Sequence, residues 1–388
     1  MLNSQSNIGI IGAGAMGSGI AQVAATAGHE VCLFDLNEKS LQNSKSKLAK
    51  IMSRLVEKGR VTIEESEAIQ GRIKYVDGLS HFECCDLVIE AVVEKLQVKQ
   101  ELFSHLENIM KEDAVLASNT SSLSIASIGG KLKQPERLLG IHFFNPAPLM
   151  PLVEIVPSLV TDSSIVENVR DLIDSWKKIT VIAKDTPGFI VNRVARPFYS
   201  EAIKMLEEGF ADEATIDWAI KELGGFRMGP FELMDLIGHD VNYVVTETVW
   251  TEMYFDPRYK PALTQKRLVE ANRLGRKSGQ GFYNYNEESI NAQPNKDEKL
   301  GNVILNRILY MLVNEAIDAL FLQIASKEDI DIAMTKGVNY PKGLIAWGAE
   351  IGFDTILRGL NESFERYGDD RYRPSVLLKD IVNGKVTI

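Results

Sequence analysis

The chain has 388 residues, which at roughly 150 per domain implies two or three folding units. Its 45 % hydrophobic and 25 % charged content is that of an ordinary globular protein and excludes an intrinsically disordered one. The net charge of −10 argues against nucleic acid or a membrane surface as partner, although a local basic patch can still meet an anionic ligand.

The opening residues MLNSQSN lead straight into an apolar run, with no signal-type segment, and the final GKVTI carries no targeting or lipidation signal. No stretch of about 18 apolar residues occurs, so the expectation is a cytoplasmic protein without a membrane partner. Short apolar runs at 8–11, 31–35, 86–91, 114–118, 138–142 and 152–156 alternate with helical stretches. That alternation predicts an α/β unit, a mostly parallel, doubly wound sheet with right-handed crossovers, over residues 1–184. The three cysteines, Cys32, Cys84 and Cys85, have no metal-ligand spacing. Their apolar neighbours predict buried thiols in strands, in a reducing compartment, and no metal is expected.

The first run ends in Gly12-Ala13-Gly14-Ala15-Met16-Gly17, followed by a helix predicted over 18–27 and a second strand ending in Asp35. A strand, a GxGxxG turn, a helix and an acid about 20 residues on form a dinucleotide fingerprint. Gly12 permits the tight turn, Gly14 lets the backbone approach a pyrophosphate, and Gly17 lets helix and strand pack closely. The helix N-terminus, near Ala15 and Met16, offers N–H groups to the anion. Asp35 can accept from both ribose hydroxyls and repels a 2′-phosphate, which favours NAD over NADP. FAD and methyl-donor cofactors use similar turns and remain the alternative.

Oxidising an alcohol needs a group to take the hydroxyl proton as hydride leaves. Histidine, with a reference pKa of about 6.5, suits the task. Of the five, His29, His81, His105, His142 and His239, only His142 ends a predicted strand, and open α/β sheets bind ligands at the carboxyl ends of their strands. The next strand carries Glu154 inside Leu-Val-Glu-Ile-Val, where an unpaired acid is costly. A carboxylate on the far imidazole nitrogen would fix the tautomer and stabilise the protonated ring. No Tyr followed four residues later by Lys, and no zinc-ligand pattern, offers another base.

After residue 184 helical periodicity dominates, and the pattern repeats itself. Asn192-Arg193 and Glu201-Ala202 recur as Asn306-Arg307 and Glu315-Ala316; Asp217, Gly229 and Gly238 recur as Asp331, Gly343 and Gly352. Every pair lies 114 positions apart with no gap, which predicts a duplicated all-α domain with copies at 185–290 and 300–388. The polar stretch 286–299 reads as the linker between them.

The combination of the Gly12–Gly17 turn with Asp35, Glu90-Ala91-Val92-Val93-Glu94, Ser118-Asn119-Thr120-Ser121-Ser122, the 142–148 and 185–193 segments and 279–283, all in one order, resembles the L-3-hydroxyacyl-CoA dehydrogenase family over nearly the whole chain. The duplicated helical half resembles two-copy members such as the 3-hydroxyadipyl-CoA dehydrogenases of phenylacetate breakdown and the β-oxidation multienzyme subunit. The resemblance implies reversible NAD-dependent oxidation of (S)-3-hydroxyacyl-CoA, with short-chain or dicarboxylic tails. It implies that His142 is the general base and Glu154 its partner, and that Ser121 and Asn192 bond the reacting hydroxyl or thioester end. It implies that Asn145 and Asn119 help arrange the nicotinamide end, and that Glu94 and Lys99 lie by the nicotinamide ribose. It also implies that the helical hairpin after the second strand contacts CoA. There Lys47, Lys50, Arg54 and Lys58 share one helical face, which is otherwise simply a solvated charged face. The alternative for Ser121 is a cap for the helix starting near Ser124, and for Asn192, repeated as Asn306, a structural role. Two rival functions stay open: a non-catalytic NAD-binding relative, and a dehydrogenase of free 3-hydroxy acids. The chain is expected to act as a homodimer or as a monomer with an internal pseudo-dimer.

Overall fold

A computed structural model describes residues 2–286 and 291–388; part of the predicted linker, 287–290, lies outside the described residues. The chain forms two compact units, Met1–Thr186 and Pro187–Ile388. Among the described residues no helix is long and apolar enough to cross a membrane.

The first unit is an eight-stranded sheet: β1 (Ile8–Ile11), β2 (Val31–Phe34), β3 (Ile73–Val76), β4 (Leu87–Glu90), β5 (Val115–Ser118), β6 (Leu138–Phe143), β7 (Leu152–Pro157) and β8 (Ile179–Ile182). Their order in space is β3-β2-β1-β4-β5-β6-β7-β8, the doubly wound dinucleotide-binding order extended by two strands. Helices α1 (Ala15–Thr26), α2 (Glu38–Glu57), α3 (Ile63–Gly71), α4 (Leu96–Glu107), α5 (Ile125–Gly129) and α6 (Ser163–Ser175) complete the unit. β1 and β4 are buried at every residue, as strands covered on both faces must be.

Two strands were not foreseen. β3 and β8 are the sheet's edges and are four residues long; in β3 only Ile73 is fully buried. An edge strand of that length carries too little alternation to separate it from a loop. The first helix begins at Ala15, earlier than predicted, because the Ser18 N–H already bonds the Gly14 carbonyl at 3.0 Å. The cysteine expectation needs correction. Cys32 lies in β2 but is partly exposed, Cys84 is exposed at the end of the 3₁₀ segment Leu79–Cys84, and Cys85 is buried outside any strand. β4 starts at Leu87; just before it, the Asp86 carboxylate accepts the Asn7 N–H at 2.8 Å and the Asp86 N–H donates to the Asn7 carbonyl at 2.9 Å, which ties the starts of β1 and β4 together.

Among the described residues, β6 and β7 are the sheet's one antiparallel pair of strands. Eight residues join them, 144–151, three of them proline. A parallel return needs a crossover of a dozen or more residues, so the short connection makes a hairpin. The hairpin register sets His142 directly opposite Glu154.

The second unit is helical and internally reciprocal. Arg193 Nε donates to Glu315 at 2.9 Å, and its counterpart Arg307 Nε donates to Glu201 at 2.6 Å. Tyr259 donates to Glu315 and Tyr372 to Glu201. Asp217 accepts the N–H groups of Phe231 and Glu232, and Asp331 those of Ile345 and Ala346. A Cβ at Gly229 would lie 2.2 Å from the Asp217 carboxylate, and one at Gly343 2.3 Å from that of Asp331. Gly238 and Gly352 both have φ above 90°, which favours glycine. The repeated residues are thus those that build each copy's helical turn and those that cross between copies. Like a two-fold interface, the crossing is self-complementary.

Candidate active site

β2, β1, β4, β5 and β6 run parallel, so their carboxyl ends lie along one edge of the sheet. At β1 the chain turns through Gly12, whose φ of 103° and whose approach to Ala91, 2.4 Å from a hypothetical Cβ to the carbonyl oxygen, both demand glycine. A Cβ at Gly17 would sit 1.7 Å from the Gly12 oxygen. Gly14 differs: a Cβ there would meet nothing within 4 Å. Protein packing does not require that glycine, whereas a pyrophosphate laid against the turn does. Gly14 is also the N-cap of α1, which has no side-chain cap and no acid in its first turn. The helix end therefore presents N–H groups suited to an anion.

Asp35 leaves β2 on the same edge. Its Oδ2 accepts the Ala13 N–H at 2.7 Å and its Oδ1 the Asn37 N–H at 2.8 Å. The acid thus fixes the glycine turn, and each oxygen keeps a further acceptor direction for a ribose.

Between β4 and β5 the structure adds a group that the sequence reading missed. Glu90, fully buried at the end of β4, accepts from Lys99 Nζ at 2.6 Å, Ser118 Oγ at 2.7 Å and the Val92 N–H at 2.7 Å. Lys99, 1 % exposed, also meets Glu94 at 3.2 Å. Glu94 in turn accepts from Thr120 Oγ1, the Ser121 N–H and Ser122 Oγ. Partial burial works against its charge, but Lys99 and the two hydroxyls outweigh that and hold the carboxyl below its ordinary value. Lys99 is therefore a buried tie between two carboxylates that shape the loops after β4 and β5. An acid inside the apolar run Leu-Val-Ile-Glu-Ala was the available signal, the same one that pointed to Glu154.

Ser121 does not cap the following helix: Ser124 is the N-cap of α5, accepting from the Ser127 N–H. Asp185 reinforces that end, accepting from Ser124 Oγ and the N–H groups of Ile125 and Ala126. Asn119 Oδ1 accepts the Phe143 N–H at 2.8 Å and so ties the end of β5 to β6, one residue past His142. Asn145, two residues further, is exposed.

His142 is 5 % exposed and Glu154 fully buried, with Nδ1 and Oε2 2.6 Å apart. A carboxylate at that distance assigns the ring proton to Nδ1, which makes Nε2 the accepting nitrogen of the ring. Other histidines are committed elsewhere. His29 bonds the Ser6 carbonyl through Nδ1 and receives the Trp176 indole N–H on Nε2. His239 forms a second carboxylate pair, 2.6 Å from Asp235, but both are fully buried. Asp235 also gathers the Phe282 and Tyr283 N–H groups and the Tyr285 hydroxyl. That pair fastens a chain segment.

Lys47, Lys50, Arg54 and Lys58 are exposed along α2 and its C-cap, and among the described residues none makes an ion pair within 4 Å. Asn192 belongs to the helical unit, in the short helix Val191–Val194, where its carbonyl accepts Arg196 Nε at 2.8 Å.

The sequence matches two families in succession: 3-hydroxyacyl-CoA dehydrogenase, NAD binding domain, over residues 7–186, and 3-hydroxyacyl-CoA dehydrogenase, C-terminal domain, over residues 188–285 and 303–386. It is 38 % identical to 3-hydroxyadipyl-CoA dehydrogenase of Escherichia coli K12, with 98 % of each chain covered. A 3-hydroxybutyryl-CoA dehydrogenase of Mycobacterium tuberculosis is 40 % identical over 74 % of this chain and 100 % of its own length. The crystal structure of 3-hydroxybutyryl-CoA dehydrogenase from Escherichia coli K12, 36 % identical, matches with a TM-score of 0.93 over 99 % of each chain. The chain belongs to the 3-hydroxyacyl-CoA dehydrogenase family, and its first unit is that family's NAD binding domain.

Proposed function

We propose that this chain oxidises (S)-3-hydroxyacyl-CoA to 3-ketoacyl-CoA, reversibly, with His142 as general base and Glu154 as the group that positions it. The observation that carries this reading is the His142–Glu154 pair at 2.6 Å beside the carboxyl edge that also holds the glycine turn. NAD, when bound, supplies the hydride acceptor. His142 Nε2 takes the substrate hydroxyl proton, and Glu154 stabilises the imidazolium that results. Ser121 and Asn192 orient the reacting end of the substrate. Asn119 and Asn145 order the turn that follows His142, and Glu94 meets the nicotinamide ribose. Lys99 acts one step back, by holding Glu94.

Gly12, Gly14, Ala15, Met16 and Gly17 cradle the pyrophosphate, and Asp35 takes the adenosine ribose. Asp35→Asn keeps an acceptor for the Ala13 N–H but removes the charge facing a 2′-phosphate. The ratio of kcat/KM for NADPH to that for NADH is expected to rise about tenfold, or about 1.4 kcal/mol. Steady-state assays with both cofactors check this, and an unchanged ratio would remove Asp35 from cofactor selection.

Lys50 and Arg54, with their neighbours on α2, meet the CoA phosphates; their lack of acidic partners supports this role. The acyl tail is short or dicarboxylic, in keeping with the relatives named 3-hydroxybutyryl-CoA and 3-hydroxyadipyl-CoA dehydrogenase, and we place the reaction in fatty-acid or phenylacetate catabolism. We place the chain in the cytoplasm, where its free thiols would persist. The reciprocal ion pairs favour an internal pseudo-dimer, hence a monomer, over a homodimer joined through the same helical surface.

The substrate class is tested by NADH consumption with acetoacetyl-CoA and with free acetoacetate. Turnover is expected with the thioester and at least 10²-fold less with the free acid, about 2.7 kcal/mol of binding energy drawn from the CoA part. Equal use of both would favour the free-acid reading.

A further inference from the structure

The connection between β6 and β7, which follows His142, has few hydrogen-bond donors of its own. Three of its eight residues, Pro146, Pro148 and Pro151, lack an N–H. The Leu149 and Met150 N–H groups both go to the Pro146 carbonyl, at 2.9 and 3.0 Å. The carbonyls further along are met from Lys178 and Ile179, where β8 begins. Lys178 Nζ donates to Ala147 at 2.5 Å and to Met150 at 2.8 Å, and the Ile179 N–H donates to Pro151 at 2.9 Å. Lys178 is 9 % exposed, and among the described residues it makes no ion pair, whereas Lys99, the other buried lysine, sits between two carboxylates. Burial therefore acts on its ammonium unopposed and holds it below the ordinary lysine value. A buried charge without a counter-charge is costly, and what this one serves is the pair of carbonyls it meets.

The same connection packs on α1. A Cβ at Gly19 would lie 3.2 Å from both the Ala147 Cβ and the Pro148 Cδ. Ala147, 1 % exposed, thus meets both Lys178 and the helix that the glycine turn opens. At the near end of the connection the Phe144 ring lies 4.6 Å from the His142 imidazole, and Asn145 follows.

We propose that Lys178 is a positioning residue for hydride transfer: its ammonium fixes the 144–151 connection and so sets His142 and Asn145 relative to the cofactor turn at α1. The inference rests on the dehydrogenase reading above. The two bonds are charge-assisted and stronger than neutral ones, and without them two carbonyls of the connection lose their donor. A displacement of about 1 Å at a reacting group can cost about 10²-fold in rate.

The test is a single turnover on the full chain, with NADH bound beforehand and acetoacetyl-CoA saturating. The amplitude of NADH loss counts competent sites, and the rate constant reports how well they are aligned. Lys178→Met keeps the aliphatic stem and removes the ammonium. Its rate constant is expected to fall about tenfold or more, with the amplitude and the NADH affinity kept within about twofold of wild type. A lysine with a merely structural role would lower the amplitude and the melting temperature but leave the rate constant of the surviving sites unchanged. Gly19→Ala presses on the same connection from α1 with Lys178 intact, and so keeps the inference open to refutation if Lys178→Met does not fold. Its rate constant is expected to fall about threefold or more at full amplitude. A rate constant within about twofold of wild type in either folded variant overturns the inference while leaving the dehydrogenase reading in place. A wild type that binds NADH but reduces no thioester contradicts that reading itself, and the inference falls with it.

Discussion

Glu154→Gln is expected to lower kcat with acetoacetyl-CoA by roughly 10²–10⁴ while changing the affinity for NADH less than about twofold. The substitution keeps the volume at a fully buried position of β7. It removes the charge that holds a proton on His142 Nδ1, and a glutamine amide can donate to Nδ1 instead. The proton then sits on Nε2, the nitrogen that must accept. A merely structural role for Glu154 would act differently, lowering the melting temperature and weakening cofactor and substrate binding together. The measurement is therefore a set of three: kcat, KM for the thioester, and NADH binding by fluorescence. A kcat within about threefold of wild type would show that the pair 2.6 Å apart does not govern proton transfer.

Arg307→Met is expected to destabilise the helical unit by about 3–5 kcal/mol, because it leaves a carboxylate buried without its principal counter-charge. Glu201 is fully buried, and its Oε2 has no hydrogen-bond partner even with Arg307 present. The reciprocal change, Arg193→Met, is expected to cost less. Both glutamates would keep a tyrosine hydroxyl, Tyr259 on Glu315 and Tyr372 on Glu201, but Glu315 would also keep a hydrogen bond from Arg258 at 3.4 Å, whereas the nearest remaining cation to Glu201, Arg371, is 3.9 Å away and makes none. At about 2–4 °C per kcal/mol for a unit of this size, the Arg307 variant should melt on the order of 10 °C lower. Pairing it with Glu201→Leu should recover part of the loss, since replacing both partners by apolar groups removes the unpaired charge. Calorimetry of the three variants checks the order. Equal and small losses for both arginines would mean that the crossing pairs contribute little to holding the copies together.

The parts legible in the sequence were those with a steric or electrostatic anomaly. Gly12 and Gly17 are dictated by contacts that no other residue survives, and Glu154 stood out as an acid in an apolar strand. Glu90 carried the same anomaly, yet its partners come from α4 and β5, and only the strand order joins them. The His239–Asp235 pair was hidden for a related reason: four residues apart on a helical stretch, it looks like an ordinary surface pair, while in the fold it is sealed under the 282–285 segment. The repeat was readable because its interval never slips, but its cause was not. Arg193 and Arg307 recur because each reaches into the other copy, which spacing alone cannot express. The edge strands β3 and β8 escaped because four residues with partial burial leave no period to read.

The most direct test of the central claim is NADH oxidation with acetoacetyl-CoA by wild type and His142→Ala, with NADH binding measured on both. Loss of the base should lower kcat by about 10²–10⁴, or about 3–5 kcal/mol of barrier, with NADH binding retained. Turnover by His142→Ala within a few-fold of wild type would contradict the assignment of His142 as the proton acceptor.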